Sequence, residues 1–399
     1  MQLENGCHLT YCTNIHEGES WEAHQQQLML HLPAIKEKVS PEEKFGLGLR
    51  LSAMAGETLG NKLALDDFKE FLYQNNLYVF TLNGFPYGNF HQSRVKDEVH
   101  QPDWQTLDRL TYTKNIFKIL QGLVPEWLDG GISTSPLSYK PWFNTEKKFN
   151  EAVEASLRNL IDIVTYLYQI REETGVHLHL DIEPEPDGII ENSAEFIFFY
   201  NEWLLKRGVP LVVKLLGITP QDAEEAIRRH IQVCYDVCHF ALVYEEPTEA
   251  LNKFKNEGIG IGKIQLSSAL RTVVGKQNSK GREELKQFEE NIYLHQVISR
   301  DTKGIIKSYR DLPDAFTDCP SDFEGEWRVH FHVPLFIEEY GQLASTQKDV
   351  SKTLAYVNEN KMKVHLEVET YTWDVLPDPL KLNLDASIAR ELDWVRKHR

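Results

Sequence analysis

Eight short β-rich runs, each bounded by Gly, Pro or polar turn residues, alternate along the chain with longer stretches of helical periodicity, and this rhythm leaves few architectures open. The runs lie at 8–11, 46–51, 77–82, 131–135, 177–182, 233–236, 261–266 and 364–368. Strands separated by helices pair in parallel, and eight such units close a barrel. The expected fold class is therefore α/β, a (β/α)8 TIM barrel. A ninth run, at 328–333, is surplus to closure. The helical side of the rhythm is visible at 151–171, where Val153, Leu157, Leu160, Ile161, Val164 and Tyr168 form one apolar stripe. Thr219 before Pro220 reads as a capped helix start leading into the run at 233–236.

Residues 275–327 are too long and too polar for a simple barrel connection. They contain a helical run at 282–292 and a hairpin signal at Asp301-Thr-Lys-Gly304, so this segment is expected to be an inserted cap. With no repeat or low-complexity linker, residues 1–399 read as a single barrel domain with that insertion and an elaborated N-terminal half, two α/β domains being the alternative. The net charge of −17 disfavours a nucleic-acid partner. The first residues lack a basic segment followed by an apolar run, and no later stretch is apolar enough to span a bilayer, so a cytoplasmic location is the expectation. Cys7, Cys12, Cys234, Cys238 and Cys319 are odd in number without a CxxC pair, which fits buried thiols better than a disulfide framework.

Candidate chemistry lies where apolar runs end in polar residues, because the C-terminal ends of barrel strands converge on one mouth. His177-Leu-His-Leu-Asp-Ile-Glu183-Pro-Glu185 ends one run in a carboxylate, and Cys234-Tyr-Asp236-Val-Cys-His239 ends another in Asp and His. Ile264-Gln265-Leu-Ser-Ser-Ala-Leu-Arg271 offers an amide and a cation, and Val364-His-Leu-Glu367-Val-Glu369 a final carboxylate. Oxygen ligands from Glu183, Asp236, Gln265 and Glu367 suit Mg²⁺ or Mn²⁺, and His239 widens the choice towards Zn²⁺. His330-Phe-His332 places two imidazoles on one face of a strand, with His332 a further candidate ligand and His330 a substrate contact. Asn83, within Asn83-Gly-Phe-Pro-Tyr-Gly-Asn-Phe90, suits a sugar-stacking wall, although a packed turn explains that string equally well. His16, Arg50, Asn14 and Glu17 also follow β runs, and an Arg50–Glu17 ion pair would account for two of them without substrate.

From Glu183 to Glu367 the chain resembles the xylose isomerase-like superfamily, which includes sugar epimerases and the endonuclease IV class of nucleases; Asp236-Val-Cys-His239 is similar to its Asp-x-x-His strand end. The resemblance implies Glu183, Asp236, Gln265 and Glu367 as metal ligands, with His239 and Arg271 on substrate. Gln265 departs from the family's usual histidine. Thr13-Asn-Ile-His16-Glu-Gly-Glu-Ser-Trp21, Phe45-Gly-Leu-Gly-Leu-Arg50-Leu-Ser, the Asn83 string and Ser133-Thr-Ser-Pro-Leu-Ser-Tyr139-Lys resemble the EboE-type metabolite traffic proteins. That likeness implies a small-molecule metabolite and a functional link to a membrane prenyltransferase-like partner.

The leading expectation is a metal-dependent isomerase or epimerase of a sugar-like, polyhydroxylated metabolite. A divalent ion (Mn, Mg or Zn) would polarise a carbonyl, and Glu183 and Glu367 would abstract and return a proton. The alternatives are a metal-dependent hydrolase, using two or three ions and the His330/His332 pair, and a non-catalytic metabolite carrier.

Overall fold

The computed structural model describes residues 1–88, 96–275, 279–288, 294–373 and 380–399. The end of the Asn83 string, at 89–90, and the end of the helical run expected at 282–292 lie outside the described residues. Each of the eight apolar runs becomes a strand with bounds within two residues of those expected: β1 (His8–Tyr11), β2 (Phe45–Arg50), β3 (Leu77–Asn83), β4 (Gly130–Thr134), β5 (Leu178–Ile182), β6 (Ile231–Asp236), β7 (Ile261–Leu266) and, last in the chain, β14 (His365–Val368). They form one sheet in the order β1-β14-β7-β6-β5-β4-β3-β2, with every ladder parallel. β1 meets β2 through a Cys12–Gly48 bridge and two side-chain bonds, from the Gly48 amide to Thr10 Oγ1 at 3.0 Å and from the Arg50 amide to Thr13 Oγ1 at 2.8 Å. The sheet thereby closes on itself as a (β/α)8 barrel.

Helices cover the outside. The helix Glu146–Thr174 contains the stripe at 151–171; it starts at Thr145, whose hydroxyl accepts the Lys148 amide, and stops at Gly175 with φ 76°. Thr219 caps the helix Pro220–His230 by accepting the Asp222 amide at 3.1 Å. No helix among the described residues is long and apolar enough to cross a membrane.

Side chains alternate along each strand, and here the alternation is polar inwards and apolar outwards. Leu178, Leu180, Ile182, Val233, Tyr235, Ile264, Leu266, Leu366 and Val368 belong to the hydrophobic core shared with the helices. Their neighbours His179, Asp181, Cys234, Lys263, Gln265, His365 and Glu367 fill the barrel instead, all buried. The fully buried Lys263 ammonium donates to Glu367 Oε2 at 2.9 Å, Leu82 O at 3.1 Å and Ser133 Oγ at 3.2 Å. Glu367 and the Tyr11 carbonyl sit so close to β2 that a Cβ on Gly48 would lie 1.9 Å from Glu367 Oε1, so only glycine fits there.

Between β7 and β14 the chain builds a second, antiparallel sheet from β8 (Ser268–Val274), β9 (Val297–Asp301), β10 (Ile306–Tyr309), β11 (Gly325–Val333), β12 (Glu339–Tyr340) and β13 (Leu343–Ser345), in the order β10-β9-β11-β8-β13-β12. This is the cap. It reaches from Ser268 to Ser345, wider than the 275–327 read from polarity, because its flanking strands are as apolar as barrel strands. The surplus run at 328–333 is part of β11, and the hairpin expected at Asp301–Gly304 joins β9 to β10. Trp327, Val329, Phe331 and Val333 enter a separate cap core, which leaves His330 and His332 on the opposite face of β11.

Replacing one partner of a buried ion pair strands the other charge, at a cost of about 3–5 kcal/mol. Lys263→Met is accordingly expected to lower unfolding stability by about that amount, and Lys263→Met/Glu367→Leu to recover much of it. Denaturant titration of the two variants checks this; equal losses would show that no stranded charge is involved.

Candidate metal centre

Asp236 ends β6 and caps the helix Val237–Leu242, which is the physical basis of the Asp-x-x-His spacing. Its Oδ1 accepts the His239 amide at 3.2 Å and the Ser267 hydroxyl at 2.6 Å, fixing the carboxylate so that Oδ2, without a hydrogen-bond partner among the described residues, faces the mouth. His239, in the first turn of that helix, meets His330 and His332 from the cap. The ring nitrogens Nε2 of His239 and His330 are 3.1 Å apart, and those of His330 and His332 3.3 Å.

The opposite nitrogens determine what those contacts are. Nδ1 of His239 lies 3.0 Å from the Pro184 carbonyl, Nδ1 of His332 2.9 Å from the Glu369 carbonyl, and Nδ1 of His330 2.7 Å from Gln296 Oε1. The Gln296 amide is oriented by its own donation to Pro186 O. All three partners only accept, so each Nδ1 carries the proton and each Nε2 presents a lone pair. Three lone pairs facing one another within hydrogen-bonding distance repel unless a cation lies among them. This is the arrangement of metal-binding histidines whose tautomer is set by a carbonyl on the far nitrogen.

Carboxylates complete the surroundings. Ligand atoms of Asp236, His239 and His332 lie within 4.8 Å of one another, as do those of Glu185, His239 and His330, and those of Glu183, Asp236 and Glu369. Asp236 belongs to both a histidine group and a carboxylate group. Glu369 is held by Asn14 Nδ2 at 2.9 Å and Asn83 Nδ2 at 3.0 Å. Burial, then the charges of Glu369, Asp236 and Glu185, push the Glu183 carboxyl far above the usual range. Burial and the Asp236 charge do the same to Glu369, and burial with Asp187 raises Glu185 to about 8. Burial, followed by the neighbouring imidazoles, depresses His239 and His330. Neutral imidazoles beside protonated carboxyls are what such a site holds until a cation takes the place of the protons. The residues fit a divalent ion.

Glu183, Asp236, His239, His330 and His332 are thus brought together at the mouth, with His239 and His330 in the same groups as the candidate ligands. Asn83 reaches the mouth through Glu369. Glu367 does not join: its position, two residues earlier on the inward face of β14, places it one layer deeper on Lys263. Gln265 also lies below the group, its Oε1 accepting from the Cys234 thiol at 3.1 Å. Arg271 is on β8, and its guanidinium bonds to Glu326 and the Ser345 carbonyl within the cap. Arg50 pairs bidentately with Glu19, and Glu17 is exposed. His16 bonds to the Tyr11 hydroxyl at 2.7 Å and stacks on His31. Glu369 and Glu185 went unassigned in the sequence, though each lies two residues beyond a candidate carboxylate, on the same face. Beside the centre, a cavity of about 100 Å³ opens between barrel and cap, lined by His100, Glu185, Gln296, His330, Tyr371 and Thr372 among others.

No protein-family model matches the chain, and no curated protein matches it. Among solved structures it is similar to the IOLI protein with a binding zinc atom (14% identity over 98% of this chain and 99% of that one, TM-score 0.48). It is also similar to a D-tagatose 3-epimerase-like protein (11%, 98% and 96%, 0.48). A third is a xylose isomerase-like TIM barrel protein from Mycobacterium smegmatis in complex with magnesium (8%, 98% and 96%, 0.48).

The raised carboxyls fix the sign of a pH effect. Above the ordinary Glu value of 4.5, the unfolded chain releases protons that the metal-free fold retains, up to about 8 at Glu185. Stability from these groups is full below the lower value and is lost as pH rises through the upper one. The Tm of EDTA-treated protein should therefore fall between about pH 5 and pH 8, and Zn²⁺ should reverse the fall by replacing the protons. A melt insensitive to both pH and Zn²⁺ contradicts the assignment.

Proposed function

We propose that this chain is a metal-dependent hydrolase of the xylose isomerase-like class, acting on a small polyhydroxylated metabolite. The observation that carries the reading is Asp236 standing in both a histidine group and a carboxylate group. This is the layout of two ion positions that share one carboxylate: His239, His330 and His332 would hold the first, Glu183 and Glu369 the second. Divalent ions held there would supply a Lewis acid for a substrate oxygen and for water.

The chain's own groups do the rest. Glu185 borders the cavity beside His330, within reach of a substrate held there. It is the group suited to protonate a leaving oxygen. His100, with Nε2 3.7 Å from Glu185 Oε2, flanks it. Asn14 and Asn83 fix Glu369, and the cap shields the centre from bulk water. The net charge of −17 and the small size of the cavity favour a small metabolite over a nucleic acid. In line with the EboE-like strings, the proposal extends to processing or traffic of that metabolite alongside a membrane prenyltransferase-like partner.

A second reading is an isomerase or epimerase. It is favoured by Glu183 and Glu369, two buried carboxyls with raised pKa in one group, and it gives Glu369 the proton-transfer role that the sequence suggested for Glu367.

Elemental analysis of the untagged protein and of Asp236→Ala tests the choice, together with turnover of a metabolite panel in H₂¹⁸O and in D₂O. Loss of two ions in the variant and ¹⁸O in the product support hydrolysis, with Glu185→Gln slowing kcat by about 10²–10⁴-fold. Loss of one ion with carbon-bound deuterium supports the isomerase, and saturable binding with neither isotope leaves a carrier.

A further inference from the structure

The opposite pole of the barrel holds a second cluster that the mouth does not use. His179 projects inwards from β5 and His365 from the first position of β14, while Asp129 immediately precedes β4. His179 Nε2 lies 3.5 Å from Asp129 Oδ2, and His365 Nε2 lies 3.4 Å from Asp129 Oδ1. The two imidazole side chains are 1% and 4% exposed, whereas that of Asp129 is 42% exposed, so the cluster is buried on one side and open to solvent on the other.

These separations are long for charge-assisted hydrogen bonds, which close to about 2.7–2.9 Å. His179 makes such a bond with its other nitrogen, Nδ1 to Asp181 Oδ1 at 2.7 Å. They match instead the spacing of adjacent ligands around a tetrahedral ion, about 3.3 Å for bonds of about 2.0–2.1 Å. Asp181 also sets the tautomer: with the proton on Nδ1, the His179 Nε2 lone pair is turned towards Asp129, as in carboxylate–histidine–metal triads. Neither ring nitrogen of His365 makes a hydrogen bond among the described residues, although the ring is buried and faces the cluster. Space for the His179–Asp181 pair is kept by glycine: a Cβ on Gly131 would come within 2.4 Å of His179 Cε1, and one on Gly262 within 2.0 Å of Asp181 Oδ1.

We propose that His179, His365 and Asp129 form a second, structural metal site at the pole of the barrel remote from the mouth, selective for Zn²⁺ or a similar borderline divalent ion. Two imidazoles and a carboxylate are a zinc donor set, with the exposed side left to a water ligand. The ion would tie β5 and β14, which are not neighbours in the sheet, to the start of β4 and so brace the closed barrel across its interior. The rival occupant is a proton. Burial lowers the His179 pKa, but the charges and hydrogen bonds of Asp181 and Asp129 outweigh it and raise the group to about 10, an imidazolium that needs no ion.

The test uses Asp236→Ala/His239→Ala protein, in which both ion positions of the mouth are disabled, loaded with Zn²⁺ or Co²⁺ and freed of excess by gel filtration. One ion per chain should remain, with the intense visible bands of tetrahedral Co²⁺, and Asp129→Asn in that background should abolish it while circular dichroism stays unchanged. In the otherwise unaltered protein, Asp129→Asn should remove one ion and spare those lost in His332→Ala, an arm that answers by difference if the double variant does not fold. No ion in the folded mouth variant, or a count unaffected by both Asp129→Asn and His365→Gln, overturns the site in favour of the proton.

Discussion

Three imidazole lone pairs, each 3.1–3.3 Å from the next and each with its proton committed to a carbonyl on the far side, are the contact that the rest of this molecule is arranged to tolerate. Nothing within a neutral protein makes such a contact favourable. The cap sheet has to press His330 and His332 against His239, the loop after β5 has to offer the Pro184 carbonyl, and the end of β14 has to offer that of Glu369. Without a cation or a proton on one Nε2 among them, the three lone pairs repel one another.

Below the mouth, a period of two turns each strand into a ladder with a different chemistry on every rung. His179, Asp181 and Glu183 rise through the barrel on one side, and His365, Glu367 and Glu369 on another. The lowest rungs meet Asp129, the middle ones include the Lys263 ion pair, and the highest reach the lone-pair cluster. Barrels of this class are commonly filled with branched apolar side chains. Here the filling is charged, and it is endurable because Lys263 neutralises one carboxylate and His179 binds another. Glycines at 48, 131 and 262 make room where two such groups would otherwise collide with the wall.

The barrel was legible because strand and helix periods differ and the runs are short. Asp236 and His239 were legible because a carboxylate that caps a helix places the third residue beyond it beside itself. His330 and His332 could be paired from their spacing, but not connected to His239, since no local pattern says which face of an inserted sheet turns towards a barrel. An apolar run gives no indication of the height at which its strand ends, so the sequence did not separate Glu367, which bonds Lys263, from Glu369 in the carboxylate group. Whether Glu367 or Glu369 reaches the top depends on stagger around the closed sheet, a property of all eight strands together. Arg271 failed for a related reason: a single residue, Ser267, separates β7 from β8, so the sequence passes from barrel to cap with hardly a turn to mark it.

Placing the cap between β7 and β14 also orders events in time. As the chain is synthesised, Glu183 emerges first, then Asp236 and His239; the two cap histidines follow only after β8, β9 and β10, and Glu369 comes last of these, just beyond the strand that must pair with β1. The parallel sheet therefore stays open until β14 has been made, and a chain arrested inside the cap exposes the sheet edges that β14 would join. The residues of the candidate centre therefore come together only when β14 has closed the sheet against β1, so completing the barrel and assembling the centre are one event.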